Sequence, residues 1–234
     1  MDQLWNGILN GLRLLLSGDP SFWEIILVSV QVSGAALLIS AAIGIPAGAL
    51  MGLVYFPGRK LVNALIYTGM GLPPVVVGLA VYILLSRSGI LGPLNLPWIP
   101  ELFTVSAMIM AQVVIASPVI IGFTMSSVAN VSADLRLQLR GLGATRLQVT
   151  LAVLWEARLG VIVALVGGLG SIISEVGAVM MVGGNIEGST RVLTTAIMLE
   201  TRQGDFGLAI GLGLVLLTIS FMINFGIAQL QGRK

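Results

Sequence analysis

LGVIVALVGGLGSIISEVGAVMMV, residues 159–182, carries one ionisable side chain, Glu175, and no alternation of apolar and polar positions. A strand of a membrane barrel has a period of two, with every other residue facing a polar lumen. This stretch lacks that period, and roughly 20 consecutive apolar residues are what a helix needs to cross the hydrocarbon core. It reads as a transmembrane helix, and its glycines and serines suit close helix packing where lipid supplies no hydrophobic drive.

Four further segments of the same kind run over about Trp23–Tyr55, Leu61–Leu85, Leu102–Val128 and Phe206–Leu230. Gly44 and Pro46 interrupt the first, which a membrane helix tolerates when its neighbours satisfy the freed backbone groups. Pro73 and Pro74 fall near the middle of the second, where a missing amide and a ring clash predict a bend. Of 234 residues, 56% are hydrophobic and 9% charged, with mean hydropathy +1.02, whereas a soluble domain is about 25% charged. The expected fold is all-α, a polytopic membrane protein with about five transmembrane helices.

Residues 3–17 place Leu4, Ile8, Leu12, Leu15 and Leu16 on one helical face, a pattern too short to span, so residues 1–20 are expected to form an interfacial helix ending at the Ser17–Pro20 turn cluster. No basic start, apolar core and small-residue cleavage site follow one another there, so no signal peptide is expected. Residues 21–230 form the transmembrane domain. Arg87–Glu101, with its prolines and Trp98, reads as an interfacial loop, Ser132–Arg158 as a basic extramembrane loop, and Gly183 to about Asp205 as a polar loop.

Five spans put the termini on opposite sides, and positive residues favour the cytoplasm. Placing Arg59, Lys60, Arg136, Arg140, Arg146, Arg158, Arg233 and Lys234 inside leaves the N-terminus outside and the C-terminus cytoplasmic. The 132–158 loop then exceeds what joining two antiparallel helices requires, commonly about 2–8 residues, so it is expected to dock a partner.

The absence of cysteine and histidine excludes disulfides, thiol catalysis, histidine proton transfer and the usual zinc sites. No catalytic or metal site is expected. The lysines are Lys60 and Lys234, neither within a glycine-rich phosphate loop, so the chain has no nucleotide-binding motif of its own. An anion would face a steep desolvation cost in hydrocarbon, so a polar path is required; Ser117, Thr124, Ser171, Ser174 and Asn185 are the candidate lining groups. Glu175 within a span is a functional candidate by default; it reads equally as a carboxyl hydrogen-bonded at a helix interface. As a carboxylate would repel an anion, it is assigned with Gly177 to the gate rather than to cargo binding.

Leu135-Arg-Leu-Gln-Leu-Arg-Gly-Leu-Gly-Ala-Thr-Arg-Leu-Gln148 resembles the coupling motif of binding-protein-dependent ABC importer permeases, in which a Glu-Ala-Ala triplet precedes a glycine turn and a short helix that docks into the ATPase. Gly143, Ala144 and Thr145 match its glycine core, and Leu137-Gln138-Leu139 replaces the triplet. Ser174–Ile197, SEVGAVMMVGGNIEGSTRVLTTAI, resembles the signature of permeases for tetrahedral oxyanions, the molybdate, tungstate and sulfate group, closest to the tungstate permeases. The resemblance implies a type I ABC importer permease fold and a homodimer in the prokaryotic cytoplasmic membrane. It implies a dimer of ABC ATPase subunits on the cytoplasmic side, contacting Arg140, Gly141, Leu142, Gly143, Ala144, Thr145, Arg146 and Leu147, and an extracytoplasmic oxyanion-binding protein. ATP and Mg would serve the partner ATPase, with no cofactor held by this chain; membrane lipid surrounds it and no nucleic acid is involved. The alternative is a secondary transporter driven by an ion gradient, which usually shows internal repeats; none is visible.

Overall fold

The structure, a computed structural model, describes residues 20–94 and 96–232. Ten α-helices and no strand occur among them: α1 Pro20–Leu53, α2 Arg59–Met70, α3 Pro74–Leu85, α4 Val105–Ala129, α5 Ala133–Gly141, α6 Arg146–Glu156, α7 Arg158–Ile173, α8 Gly177–Gly183, α9 Leu193–Gln203 and α10 Phe206–Gly232. Three of these, α1, α4 and α10, are long and apolar enough to cross a membrane, and the number rises to five if each bent helix pair counts as one span. The all-α expectation holds.

The bundle is organised around α4. Its buried residues include Met108, Gln112, Ala116, Ile120, Thr124 and Val128, a row spaced by four. Facing it, α1 presents Val32, Ala36, Ser40, Gly44, Gly48 and Gly52, another row spaced by four that ends in three glycines. Such rows interdigitate when helices pack. The glycines set the distance: a Cβ on Gly44 would lie 2.7 Å from Ile120 Cγ2, one on Gly48 2.7 Å from the Ile121 carbonyl, and one on Gly52 2.8 Å from Val128 Cγ1. The order of these contacts makes α1 and α4 parallel.

On another side, α7 repeats the device with Gly160, Ala164, Gly168 and Ile172. A Cβ on Gly160 would overlap the Ser127 hydroxyl, and one on Gly168 would meet Ile120 at 2.7 Å; since 160 lies at 127 and 168 at 120, α7 runs antiparallel to α4. Small residues thus let three backbones approach where apolar lipid supplies no squeeze. Large apolar residues on the outer faces, among them Leu38, Leu50, Val163 and Leu217, are exposed, as a lipid-facing surface requires.

Two apolar clusters mark the ends. One joins Ala49 of α1 and Val128 of α4 to Val149 and Val153 of α6. The other joins Val32, Met108 and Ala111 to Val77, Val81, Val179 and Val182 of α3 and α8. At that second end Phe22 and Ile26 also pack against Leu193, Ala196, Leu212 and Val215, seating α9 and the start of α10.

Several expectations need correction. The bend expected in Leu61–Leu85 is a break of 102° between α2 and α3, because Pro73 and Pro74 withhold two amides in succession and the turn begins at Gly71. The single helix expected over Leu159–Val182 is two, α7 and α8, parted at Ser174–Val176. The polar loop expected over Gly183–Asp205 contains α9, whose apolar residues Leu193 and Ala196 are buried against α1 and α10. Thr195 steadies its start, accepting from the Val192 amide at 3.1 Å, and Gly204 (φ +82) stops it. Except for Pro20, which opens α1, the interfacial helix expected over residues 1–20 lies outside the described residues.

Candidate functional site

The residues expected to contact an ATPase form a helical elbow beyond the end of α4. Ser132 accepts from the Asp134 amide at 3.1 Å to start α5. That helix stops where Gly143 takes φ +84, a left-handed conformation that glycine enters without strain, while the Gly143 and Ala144 amides donate to Arg140 and Leu139 at 3.0 Å. Thr145 then opens α6 by a capping box, its hydroxyl accepting from the Gln148 amide and its own amide donating to Gln148 Oε1 at 2.8 Å. Arg140, Gly141, Leu142, Gly143, Ala144, Thr145, Arg146 and Leu147 are brought together in that turn. Leu135, Leu139 and Ala144 pack inward on the cluster at the end of α1 and α4, and Arg136 Nη2 donates to the Val131 carbonyl at 2.8 Å, holding α5 to α4. The outer face is apolar and open: Leu137, Leu142, Leu147, Leu151 and Trp155 are all more than half exposed, Leu142 at 85%.

The break between α7 and α8 holds Glu175. Its Oε1 accepts from the Ala178 amide at 2.7 Å, its carbonyl accepts from the Thr194 hydroxyl at 3.0 Å, and its amide donates to the Ile172 carbonyl at 3.2 Å. The carboxyl group therefore satisfies an amide of α8 that would otherwise be orphaned at the helix start. Gly177 lets α8 approach α3, since a Cβ there would lie 2.7 Å from Val75 Cγ2, and Gly78 brings α3 so near that a Cβ would meet the Ala178 Cα at 2.5 Å. At its far end α8 stops at Gly184 and Asn185, both left-handed at φ +74 and +52. The Val182 carbonyl accepts from the Phe103 amide at 2.7 Å, and Thr190 bridges the turn, donating to Gly183 and accepting from Ile186.

The remaining candidate path residues scatter. Ser171, one turn before Glu175, and Ser174, next to it, donate to the carbonyls of Gly167 and Gly170 at 3.1 and 2.8 Å. Asn185 Oδ1 is buried without a partner, as are the Ser117 and Thr124 hydroxyl oxygens. Thr124 is fully buried between α1 and α4, beside Gly48, so within this chain it faces protein.

Two polar residues were not placed on the path from the sequence. Gln112, 3% exposed, donates through Nε2 to the Ile172 carbonyl at 3.4 Å while its Oε1 has no partner. It lines a crevice of about 150 Å³ shared by α1, α7, α9 and α10, and its place in the row from Met108 to Val128 was readable. Arg191, its side chain 17% exposed, pairs with Glu187 at 3.5 Å in the turn beyond α8, a cation close to Asn185 in the chain where none was expected along the path.

The chain matches the family model described as binding-protein-dependent transport system inner membrane component over residues 44–233. It is 42% identical over 231 residues to the tungstate uptake system permease protein TupB of Peptoclostridium acidaminophilum, covering 99% of each chain. To the protein of the same name from Campylobacter jejuni it is 33% identical over 225 residues, covering 96% of this chain and 92% of the other. Among solved structures, the crystal structure of a bacterial alginate ABC transporter in complex with alginate pentasaccharide-bound periplasmic protein contains a chain that aligns with a TM-score of 0.75 at 22% identity, covering 94% of this chain and 82% of that one.

Proposed function

This chain belongs to the family of binding-protein-dependent transport system inner membrane components, the permease subunits of ABC importers, and we propose that its cargo is tungstate, passed through a homodimer of the chain. As in the family, ATP is hydrolysed by a separate subunit, so the ion-gradient alternative is set aside. Tungstate as the cargo is supported by the 42% identity to a tungstate uptake permease over the full length of both chains.

The observation that carries the mechanism is the elbow of α5 and α6. Five large apolar side chains stand exposed there with Arg140 on α5, Arg146 on α6 and Arg158 at the start of α7, beyond the end of the spanning bundle. A protein partner that covers the leucines and faces the arginines fits this surface, and the ATPase subunit, with its ATP and Mg, is that partner. The elbow, the turn at Arg59 and Lys60, and the end of α10 lie on the cytoplasmic side; the α3–α4 loop with Trp98 lies outside, where an oxyanion-binding protein delivers the cargo. Two copies about a two-fold axis enclose the path, with Ser171, Ser174, Glu175, Gly177 and Asn185 beside it and Glu175 setting the geometry of the gate. ATP-driven closure of the ATPase pair draws the two elbows together and rocks the bundles.

The test is uptake of radiolabelled tungstate by vesicles holding the chain with its ATPase and receptor, in competition with molybdate and sulfate, alongside the variant Leu142→Asp. Tungstate uptake that is lost in Leu142→Asp together with ATPase co-purification supports the reading. Preferred uptake of molybdate or sulfate overturns the cargo, and an ATPase that remains bound to Leu142→Asp overturns the docking face.

A further inference from the structure

Between α1 and α2 the chain turns through Val54–Gly58, and Gly58 at φ +89 starts α2. A cavity of about 550 Å³ opens in this turn, lined by Tyr55, Phe56, Gly58, Arg59, Lys60 and Asn63. Two of its six lining residues are cations and none is an acid. Neither cation has a carboxylate partner among the described residues, where the ion pair found is Arg191–Glu187. The Arg59 guanidinium lies 4.2 Å from the centre of the Tyr55 ring, an attraction that fixes the side chain over the cavity. Its Nε and the Asn63 Oδ1 are buried without a hydrogen-bond partner, although buried polar atoms are nearly always satisfied.

These features describe a preformed anion pocket, with a held guanidinium whose Nε–H is unused and a free ammonium beside it, while the unpaired Asn63 oxygen leaves an acceptor for a hydroxyl group at the rim. Its surroundings select the anion. Val54, Leu61 and Leu65 flank the turn and are exposed at 41, 67 and 63%, apolar surface that a free inorganic anion would not use but that acyl chains would cover. We propose that this cavity binds the phosphate of an acidic phospholipid, in the cytoplasmic leaflet under the orientation given above. Arg59 forks onto the phosphate oxygens, Lys60 reaches them as a mobile point charge, and Asn63 Oδ1 accepts from a hydroxyl of the glycerol headgroup. Binding itself does not depend on the orientation: a reversed topology would move the lipid to the other leaflet and leave the site intact.

The experiment uses the assembled complex of this chain with its ATPase in neutral detergent. Thermal unfolding is followed during titration with dihexanoyl phosphatidylglycerol, dihexanoyl phosphatidylcholine or inorganic phosphate. The expected result is saturable protection by phosphatidylglycerol, with neither of the other two protecting at matched concentration. At roughly 1 kcal/mol per basic residue near an anionic lipid surface, Lys60→Gln should raise the half-saturating concentration about five-fold. Arg59→Gln with Lys60→Gln should raise it about thirty-fold. Lys60 is exposed, so the single variant folds even if the double variant does not. Equal protection by inorganic phosphate would make this a free-anion site and overturn the lipid assignment. Equal protection by phosphatidylcholine, no protection of the assembled complex, or an unchanged titration in Lys60→Gln would overturn the site itself.

Discussion

Replacing Glu175 separates two roles that a buried carboxyl group can play. In this structure Oε1 accepts from the Ala178 amide at 2.7 Å in a site where the residue is 5% exposed. Glu175→Gln keeps an oxygen at that place, so the Ala178 amide keeps its acceptor and the loss stays at about 1 kcal/mol, the net worth of one hydrogen bond. Glu175→Ala removes the acceptor, leaves the amide unpaired at about 1–3 kcal/mol, and empties the volume the side chain filled, which raises the total to about 3–5 kcal/mol. Thermal unfolding of the assembled complex should rank wild type above Gln and Gln well above Ala. Tungstate uptake should stay substantial in Gln and fail in Ala. Uptake abolished in Glu175→Gln, with assembly and ATP hydrolysis intact, would refute the positioning role and require the charge itself.

Gly177→Leu should block uptake while leaving the receptor's oxyanion affinity unchanged, because its first added carbon would fall 2.7 Å from Val75 Cγ2 and overpacking costs about 1–3 kcal/mol; normal uptake would contradict the α3–α8 contact. Gly143→Pro cannot take φ +84 and should leave a folded permease that no longer retains the ATPase in co-purification. Arg146→Glu, with its reversed exposed charge, should weaken the same association. Single cysteines at Arg59 and Trp98 of this cysteine-free chain, probed with an impermeant thiol reagent, should react only in inverted membrane vesicles and only in intact cells respectively; the opposite pattern would invert the topology.

What could be read from the sequence is what composition controls. α1, α4 and α10 each hold a long, strongly apolar stretch, so no alternative competes with a spanning helix. The elbow was readable because Gly143 and the Thr145–Gln148 pair are local signals for a turn and a helix start. The break at Ser174–Val176 was not, since its flanks are as apolar as an unbroken span and the partners that stabilise it, Thr194 and α3, are distant in sequence. α9 was hidden for the opposite reason: Thr194, Thr195, Glu200, Thr201 and Arg202 make it polar, and its helicity rests on burial of Leu193 and Ala196. Thr124 was assigned to the path for its hydroxyl, yet its spacing of four from Ile120 and Val128 places it on the row that meets the α1 glycines.

Those glycine seams also decide how a displacement spreads. Where added carbon atoms would overlap neighbours at once, α1, α4 and α7 have little clearance to slide or roll past one another, so the packing favours their moving as one frame. A push on the elbow, tied to the end of α4 through Arg136, therefore reaches all three undivided. Bending is left to the joints at Gly71–Pro73, Ala157 and Ser174–Val176. Two of these carry α3 and α8, which are fused to each other at Gly78 and Ala178. The pair hangs from α7 of the frame by one joint and from α2 by the other, and Glu175 is seated in the first.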